Sequence, residues 1–313
     1  MTHRLVLAFG SLLLLAALGG CSAAGSISMT PVDDSESLAA EASRDLPAEQ
    51  STYDRYRFRD IERAIQAGST TVNATQPTVD PGLPYEHDGR YYNVSTAIVG
   101  QESGYSGEVG IDYNTSSVDG TVVAYGELPA RDRRALEPLL APPRKGGEPG
   151  TDIDVPVAYT DADANASALV PNQTYDGIRY QGTTYAIDVH VERTTLNTYR
   201  YDATLVAESD RTYARTLDRE YAFTLSTLSE NESAIVEQAV GDTHYIEQTG
   251  DPGFASLVDR FRHRRPVTAS EYDGAWLVRY DGRRYWTEVR FGQYLPEDEP
   301  VIVATRTADG TAG

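Results

Sequence analysis

Six of the seven asparagines in this 313-residue chain stand in Asn-x-Ser/Thr: Asn73, Asn93, Asn114, Asn165, Asn172 and Asn231. That tripeptide is the acceptor for N-linked glycans on surfaces outside the cytoplasm, so all six are glycosylation candidates. Asparagine beside a hydroxyl residue also arises in ordinary turns. Asp161-Ala162-Asp163-Ala164-Asn165 opens like a calcium loop, because oxygens at alternate positions can converge on one cation. The match is partial: Ala166 stands where such a loop needs Gly, and Asn172 where it needs a bidentate Glu. Asp161, Asp163 and Asn165 are therefore calcium candidates only in part, and a solvated acidic loop is the competing reading.

Other chemistry-bearing types do not assemble. His87, His190, His244 and His263 show neither H-x-H nor H-E-x-x-H spacing, and a single Cys supplies no zinc set. Gly104-Tyr105-Ser106-Gly107 misses a nucleophile elbow by one place, and Lys145 is followed by Gly146 rather than the Ser or Thr of a phosphate loop. A glycosidase-like pair cannot be singled out from 47 Asp and Glu. No catalytic residue and no cofactor is assigned. Arg260, Arg262, His263, Arg264 and Arg265 precede Pro266. They read as cations on a helix C-terminus, with acidic polymers or lipid headgroups as the functional alternative. Trp276, Tyr280, Tyr285 and Trp286 form a candidate binding surface for sugars or a partner protein, although aromatics at strand spacing also build cores.

Composition narrows the function classes. Lys and Arg number 27 against 47 Asp and Glu, a net charge of −20, which opposes nucleic-acid binding. Only Lys145 is lysine. Dense carboxylates with almost no Lys resemble the composition of proteins from salt-loving microbes, whose hydrated acidic surfaces stay soluble when salt screens repulsion. With 40% hydrophobic residues the chain can bury real cores, and one Cys excludes an internal disulfide.

That Cys has a particular position. Leu5 to Leu18 form an apolar run of fourteen residues after Arg4, too short for a spanning helix and suited to the core of a secretory signal. Leu18-Gly19-Gly20-Cys21 follows, and it resembles the lipobox of prokaryotic lipoproteins. The resemblance implies cleavage before Cys21, a signal peptide over residues 1–20, and a lipid on the Cys21 thiol that anchors the mature chain to the membrane. Residues 21–52, rich in Ser, Ala, Asp, Glu and Pro, read as a disordered acidic tether.

The elements beyond residue 52 repeat. Asp88-Gly89, Gln181-Gly182 and Asp281-Gly282 are each flanked by alternating runs, as in two-residue hairpins whose Gly takes positive φ. Tyr92, Tyr185 and Tyr285 each stand four residues after the turn's first residue. Every second position then continues one sheet face: Val94, Thr96, Ile98; Ile187, Val189, Val191; Thr287, Val289, Phe291. Helical spacing precedes each hairpin. Phe58, Ile61 and Ile65 share a face before Gly68; Leu136, Leu139 and Leu140 share one around Pro138; Ser229 and Glu232 form a capping box before Ile235, Val236 and Ala239. Asp251-Pro252 opens a further helix with Phe254, Leu257, Val258 and Phe261 on one side. Further strands are expected at Glu108–Tyr113, Thr121–Tyr125, Tyr199–Ala207 and Arg219–Thr227.

The expected fold is α+β: antiparallel sheets covered on one face by helices, in three helix-hairpin units at 53–127, 128–227 and 228–305, with a flexible tail at 306–313. The Leu-Pro and Leu-Ser helix leads with Asp-Gly-x-x-Tyr hairpins resemble small secreted proteins of unknown function, often lipoproteins, from halophilic archaea. That resemblance implies no catalytic residue. The expectation is a lipid-anchored, glycosylated, non-enzymatic binding or structural module on the outer face of the cytoplasmic membrane. Its partners would be the membrane and an envelope protein or glycan. Alternatives are a surface hydrolase with an unseen carboxylate site, or a solute-binding protein feeding a transporter.

Overall fold

The computed structural model describes residues 23–46, 52–79, 82–112, 118–140, 153–247, 250–291 and 294. The signal segment 1–20, Cys21, Asn114 and the 306–313 tail lie outside them. In chain order come β1 (Gly25–Pro31), α1 (Ser35–Glu41), β2 (Arg44–Asp45), α2 (Thr52–Ala67), β3 (Ser69–Ala74), β4 (Tyr85–His87) and β5 (Arg90–Asp112). Next are β6 (Val122–Ala124), α3 (Ala130–Leu140), β7 (Ile153–Thr160), α4 (Asp161–Asn165), β8 (Gly177–Tyr180) and β9 (Thr183–Ala207). The order closes with α5 (Asp210–Glu220), β10 (Phe223–Thr224), α6 (Glu230–Ala239), β11 (Thr243–Ile246), α7 (Pro252–Arg262), β12 (Thr268–Ala269), β13 (Asp273–Tyr280) and β14 (Arg283–Arg290). The protein is mixed α+β with open sheets, and it divides into two compact units.

The larger unit is Val32–Ala222 with Asp281–Trp286. Its spine is β5 and β9, paired antiparallel from Tyr91↔Ala207 to Asp112↔Ala186. At one end β4 flanks β5 and β3 flanks β9; at the other β7 flanks β5 and β8 flanks β9. Each end has its own apolar cluster. Ile61 and Ala64 of α2 join Tyr85, Val94, Tyr199 and Tyr201, with Phe58 and Ile65 packed alongside. Leu136, Leu139 and Leu140 of α3 join Val109, Ile111, Val155 and Ile178. Each such fully buried aliphatic side chain contributes about 1.5–3 kcal/mol of transfer free energy. The helical faces expected from spacing are thus the faces that pack, and Gly68, at φ +81°, follows α2.

The continuity of β5 departs from the expected separate strands. Residues 100–107 carry three glycines and fall between the two expected strand runs, yet they run on as strand. The reason is close approach. A Cβ on Gly104 would sit 2.3 Å from the Tyr159 carbonyl oxygen, and one on Gly107 would sit 1.9 Å from that of His190. Glycine here lets neighbouring backbones close on β5. In consequence residues 53–227 do not form two separate helix-hairpin units: their two long strands share one sheet.

The smaller unit comprises the described residues of 1–31, 223–280 and 287–313. Its sheet runs β10-β13-β14-β1-β11, with β12 beside β13. Helix α7 turns Phe254, Leu257, Val258 and Phe261 inward, all fully buried or nearly so, as the spacing requires. Helix α6 begins at the expected capping box: Ser229 N–H donates to Glu232 Oε2 at 2.7 Å, and Glu232 N–H donates to Ser229 Oγ at 3.3 Å.

Three sequence expectations fail. Within the expected tether at 21–52, residues 25–46 are structured: Ile27 and Met29 of β1 alternate into the core with no exposure, and Leu38 and Ala39 of α1 are equally buried. The alternating run was too short to stand out from its polar neighbours. The strand at Arg219–Thr227 is the end of α5 plus the two residues of β10, because Tyr213, Ala214 and Leu217 make a helical face capped by Ser209. Finally, all three hairpin turns take positive φ at both central residues, Asp88-Gly89, Gln181-Gly182 and Asp281-Gly282, as type I′ turns do. Yet the first two are each followed by one long strand, so the separately expected strands beginning at Glu108 and at Tyr199 are the far ends of β5 and β9.

Candidate functional site

Helices α2 and α3 present their polar faces to one cleft of about 680 Å³ in the larger unit. Such a volume lies in the ordinary range of small-molecule sites. Arg57, Arg59 and Arg63 line it from α2, and Arg131 and Arg134 from α3. Helical spacing accounts for most of these positions: with Phe58, Ile61 and Ile65 turned to the core, residues 59, 60 and 63 lie on the other side of α2 and 57 flanks the apolar face, while 131, 134 and 135 share one side of α3. The floor comes from β3 and the segment after it, Thr75–Thr78, with Pro156–Ala158 of β7. Two tyrosines of β9 fix that segment. Tyr201 Oη accepts from Thr78 N–H at 3.1 Å, and Tyr199 Oη donates to Thr75 O at 3.3 Å.

Two carboxylates stand among the guanidinium groups. Asp60, buried on α2, lies 3.3 Å from Arg63 Nη1 and 3.6 Å from Arg59 Nε. Asp163 Oδ2 lies 3.7 Å from Arg131 Nε. Among the described residues the lining carries five cations and two anions, a balance of +3 in a chain of −20. Arg131 Nε, a donor, and Asn73 Oδ1, an acceptor, are buried behind the lining with no hydrogen-bond partner among the described residues.

Arg131 is held from several sides. Its guanidinium lies 5.0 Å from the centroid of the Tyr159 ring and donates to the Ala158 carbonyl. Behind it, fully buried Asp132 accepts from Tyr159 Oη at 3.1 Å, Ser167 Oγ at 2.7 Å and Ala168 N–H at 2.7 Å. Burial and then the Asp132 carboxylate push the Tyr159 phenol above its ordinary range. The phenol therefore stays a donor to Asp132.

The residues singled out from sequence lie elsewhere or play other parts. Trp276, Tyr285 and Trp286 are at most 4% exposed and Tyr280 is half-buried, so they do not make a binding surface. Trp276 instead packs on Phe261 and Phe291 and donates Nε1–H to Arg264 O at 3.1 Å. The calcium candidates form the short α4: Asp161 pairs with Arg193 at 3.0 Å, Asp163 completes a capping box with Thr160, and Asn165 is exposed. Arginines take the two carboxylates that a cation would need. In the basic cluster, Arg260 binds Glu232 at 2.7 Å and reaches Ser226 O and Thr227 O, which is a structural role.

Among the sequons, Asn93, Asn165, Asn172 and Asn231 are exposed. Asn73 lines the cleft and donates Nδ2–H to Glu102 Oε1 at 3.0 Å. The cleft arginines escaped sequence reasoning because they come from two helices some seventy residues apart. The usable signal was Tyr-Arg-Phe-Arg-Asp-Ile-Glu-Arg at 56–63, an Arg-rich face opposite an apolar one.

Comparison with known protein families, curated proteins and solved structures finds no match. Among the described residues no helix is long and apolar enough to cross a membrane.

Proposed function

We propose that this chain is a lipid-anchored, extracytoplasmic, non-enzymatic binding module of the cell envelope, and that its working site is the arginine cleft, which takes up an anion. The observation that carries the binding function is the charge inversion. Gathering five guanidinium groups around one cavity costs folding free energy through mutual repulsion, and an anionic ligand offsets that cost. The anchor rests on the lipobox Leu18-Gly19-Gly20-Cys21 and the apolar run before it. It places the chain on the outer face of the cytoplasmic membrane, where the exposed sequons at Asn93, Asn165, Asn172 and Asn231 are glycan acceptors and the acidic surface serves solvation in salt.

We also read residues 44–112, 122–207 and 223–290 as three copies of one strand-helix-strand-hairpin unit. A short strand runs parallel to the hairpin's first strand each time: β2 with β4, β6 with β8, β10 with β13. The strand orders β2-β4-β5-β9-β3, β6-β8-β9-β5-β7 and β10-β13-β14-β1-β11 then have the same form. In the first two copies the long strands β5 and β9 complete one another's sheets, and β1 takes that place in the third.

Two measurements test the function. In a prokaryotic lipoprotein-processing host, the full chain should sediment with membranes and Cys21→Ser should not. Isothermal titration with inorganic phosphate should give a binding isotherm that Arg63→Ala with Arg131→Ala abolishes. Equal partitioning of the Cys21→Ser variant defeats the anchor. Heat of binding that survives both arginine substitutions defeats the site.

A further inference from the structure

The cleft offers more than positive charge, and its chemistry narrows what it takes. The chain as a whole carries −20, so its long-range field repels anions, and capture has to come from short-range contacts that outweigh that repulsion. A single anionic group can engage one guanidinium fork. Two sets of guanidinium groups, Arg57, Arg59 and Arg63 on α2 and Arg131 and Arg134 on α3, line the same cleft and suit a ligand with more than one anionic group. A long polyanion is disfavoured because it would leave the cleft and run over an acidic surface. The volume of about 680 Å³ sets the same upper bound on size.

Thr71, Thr75, Gln76, Thr78 and Ser106 add hydroxyl and amide groups to the same wall, and these can donate to further anionic oxygens. Resting on the anion-binding reading above, we infer that the ligand is a compact oligoanion with at least two phosphate, sulfate or carboxylate groups. Guanidinium groups of both helices share those groups between them. Asp60 and Asp163 are internal counter-ions, holding Arg59, Arg63 and Arg131 in place while the cleft is empty and sharing them when it is filled. They also set the affinity. Asp60 competes with the ligand for the same two guanidinium groups, so its neutralisation tightens binding.

The test is isothermal titration of the whole chain with fructose 1,6-bisphosphate, citrate, tripolyphosphate, inorganic phosphate and sucrose, at one fixed salt concentration. Fructose 1,6-bisphosphate or citrate should bind at least tenfold tighter than phosphate, and sucrose should give no heat; which of the first two is tighter identifies the anionic group. Arg134→Ala, which leaves Arg63 and Arg131 in place, should weaken the tighter of these two and tripolyphosphate severalfold and phosphate less. Asp60→Asn should tighten binding severalfold, with circular dichroism and melting temperature confirming that the variant is folded. If phosphate binds as well as the larger anions, or Arg134→Ala weakens all of them alike, the oligoanion assignment is overturned while anion binding stands. If Asp60→Asn folds and does not tighten binding, the counter-ion role is wrong. If no anion gives heat, both the inference and the function it rests on are wrong.

Discussion

Arg131 and Asp132, neighbours on α3, grip the two ends of one tyrosine: the Arg131 guanidinium lies 5.0 Å from the centroid of the Tyr159 ring, and Asp132 Oδ1 accepts from the Tyr159 hydroxyl at 3.1 Å. The buried carboxylate orients the ring, and the ring orients the cation that faces the cleft.

These two contacts separate on mutation. Tyr159→Phe keeps the ring under Arg131 but removes one of the three donors to Asp132, so stability should fall by about 1–2 kcal/mol in urea unfolding while anion affinity stays within about twofold. Arg131→Lys keeps the charge and loses the planar stacking and the fork, so affinity should fall about tenfold with little change in stability. Equal effects of the two variants on binding would contradict the division of roles.

Glu232 should make the smaller unit acid-sensitive. Burial raises its carboxyl, but the Ser229 N–H, the Arg260 guanidinium and the Ser256 hydroxyl outweigh burial and hold it at about 2. Its folded pKa lies below the ordinary value near 4.5, so its stabilisation is complete above that value and is lost as pH falls through the window from about 4.5 to 2. The loss should amount to about 1–3 kcal/mol. Glu232→Gln should lower stability at neutral pH and flatten this part of the pH profile, read by denaturant unfolding at each pH.

Gly107 and Gly126 form an internal comparison. A Cβ at Gly107 meets the His190 carbonyl oxygen at 1.9 Å, whereas one at Gly126 meets nothing within 4 Å. Gly107→Ala must part β5 from β9 and should cost at least about 1–3 kcal/mol, and Gly126→Ala should be within about 0.5 kcal/mol of wild type. Melting temperatures of the two variants check this.

The start of β1 constrains the anchor. Ala24 donates its N–H to Ile246 O at 2.7 Å, so a lipid on Cys21 leaves only Ser22 and Ala23, about 10 Å of chain, between membrane and sheet. A spin label at exposed Tyr245, one residue along β11 from that contact, should report headgroup-depth accessibility in vesicles, and ten Gly/Ser residues inserted after Ala23 should abolish it. Identical accessibility in both proteins would rule out direct seating on the bilayer.

Much of the fold was legible because local rules sufficed. Period 3.6 put Ile61, Leu136, Ile235 and Phe254 on buried faces, and Asp-Gly or Gln-Gly between alternating runs gave the three turns. What local rules could not supply was pairing across distance. Gly104 and Gly107 look like a loop until Tyr159 and His190 are known to lie against them. Ile27 and Met29 look incidental until β1 is placed between β14 and β11. The cleft failed to show for the same reason: Arg63 and Arg131 read singly as solvated surface charges, and only the packing of α2 and α3 puts them around one cavity. Trp276 misled in the opposite sense, since an aromatic at strand spacing has the same sequence appearance whether it faces water or core.

The most direct measurement is the affinity of fructose 1,6-bisphosphate for the wild-type chain and for Arg63→Ala with Arg131→Ala, titrated between about 0.2 and 1 M salt, where the Debye length falls from roughly 7 to 3 Å. Wild type should bind at every salt concentration, weakening as salt rises, and the double variant, still folded by circular dichroism, should lose at least a hundredfold. Binding that is the same in both proteins, or absent from wild type across the whole series, would contradict the assignment of the arginine cleft as the site.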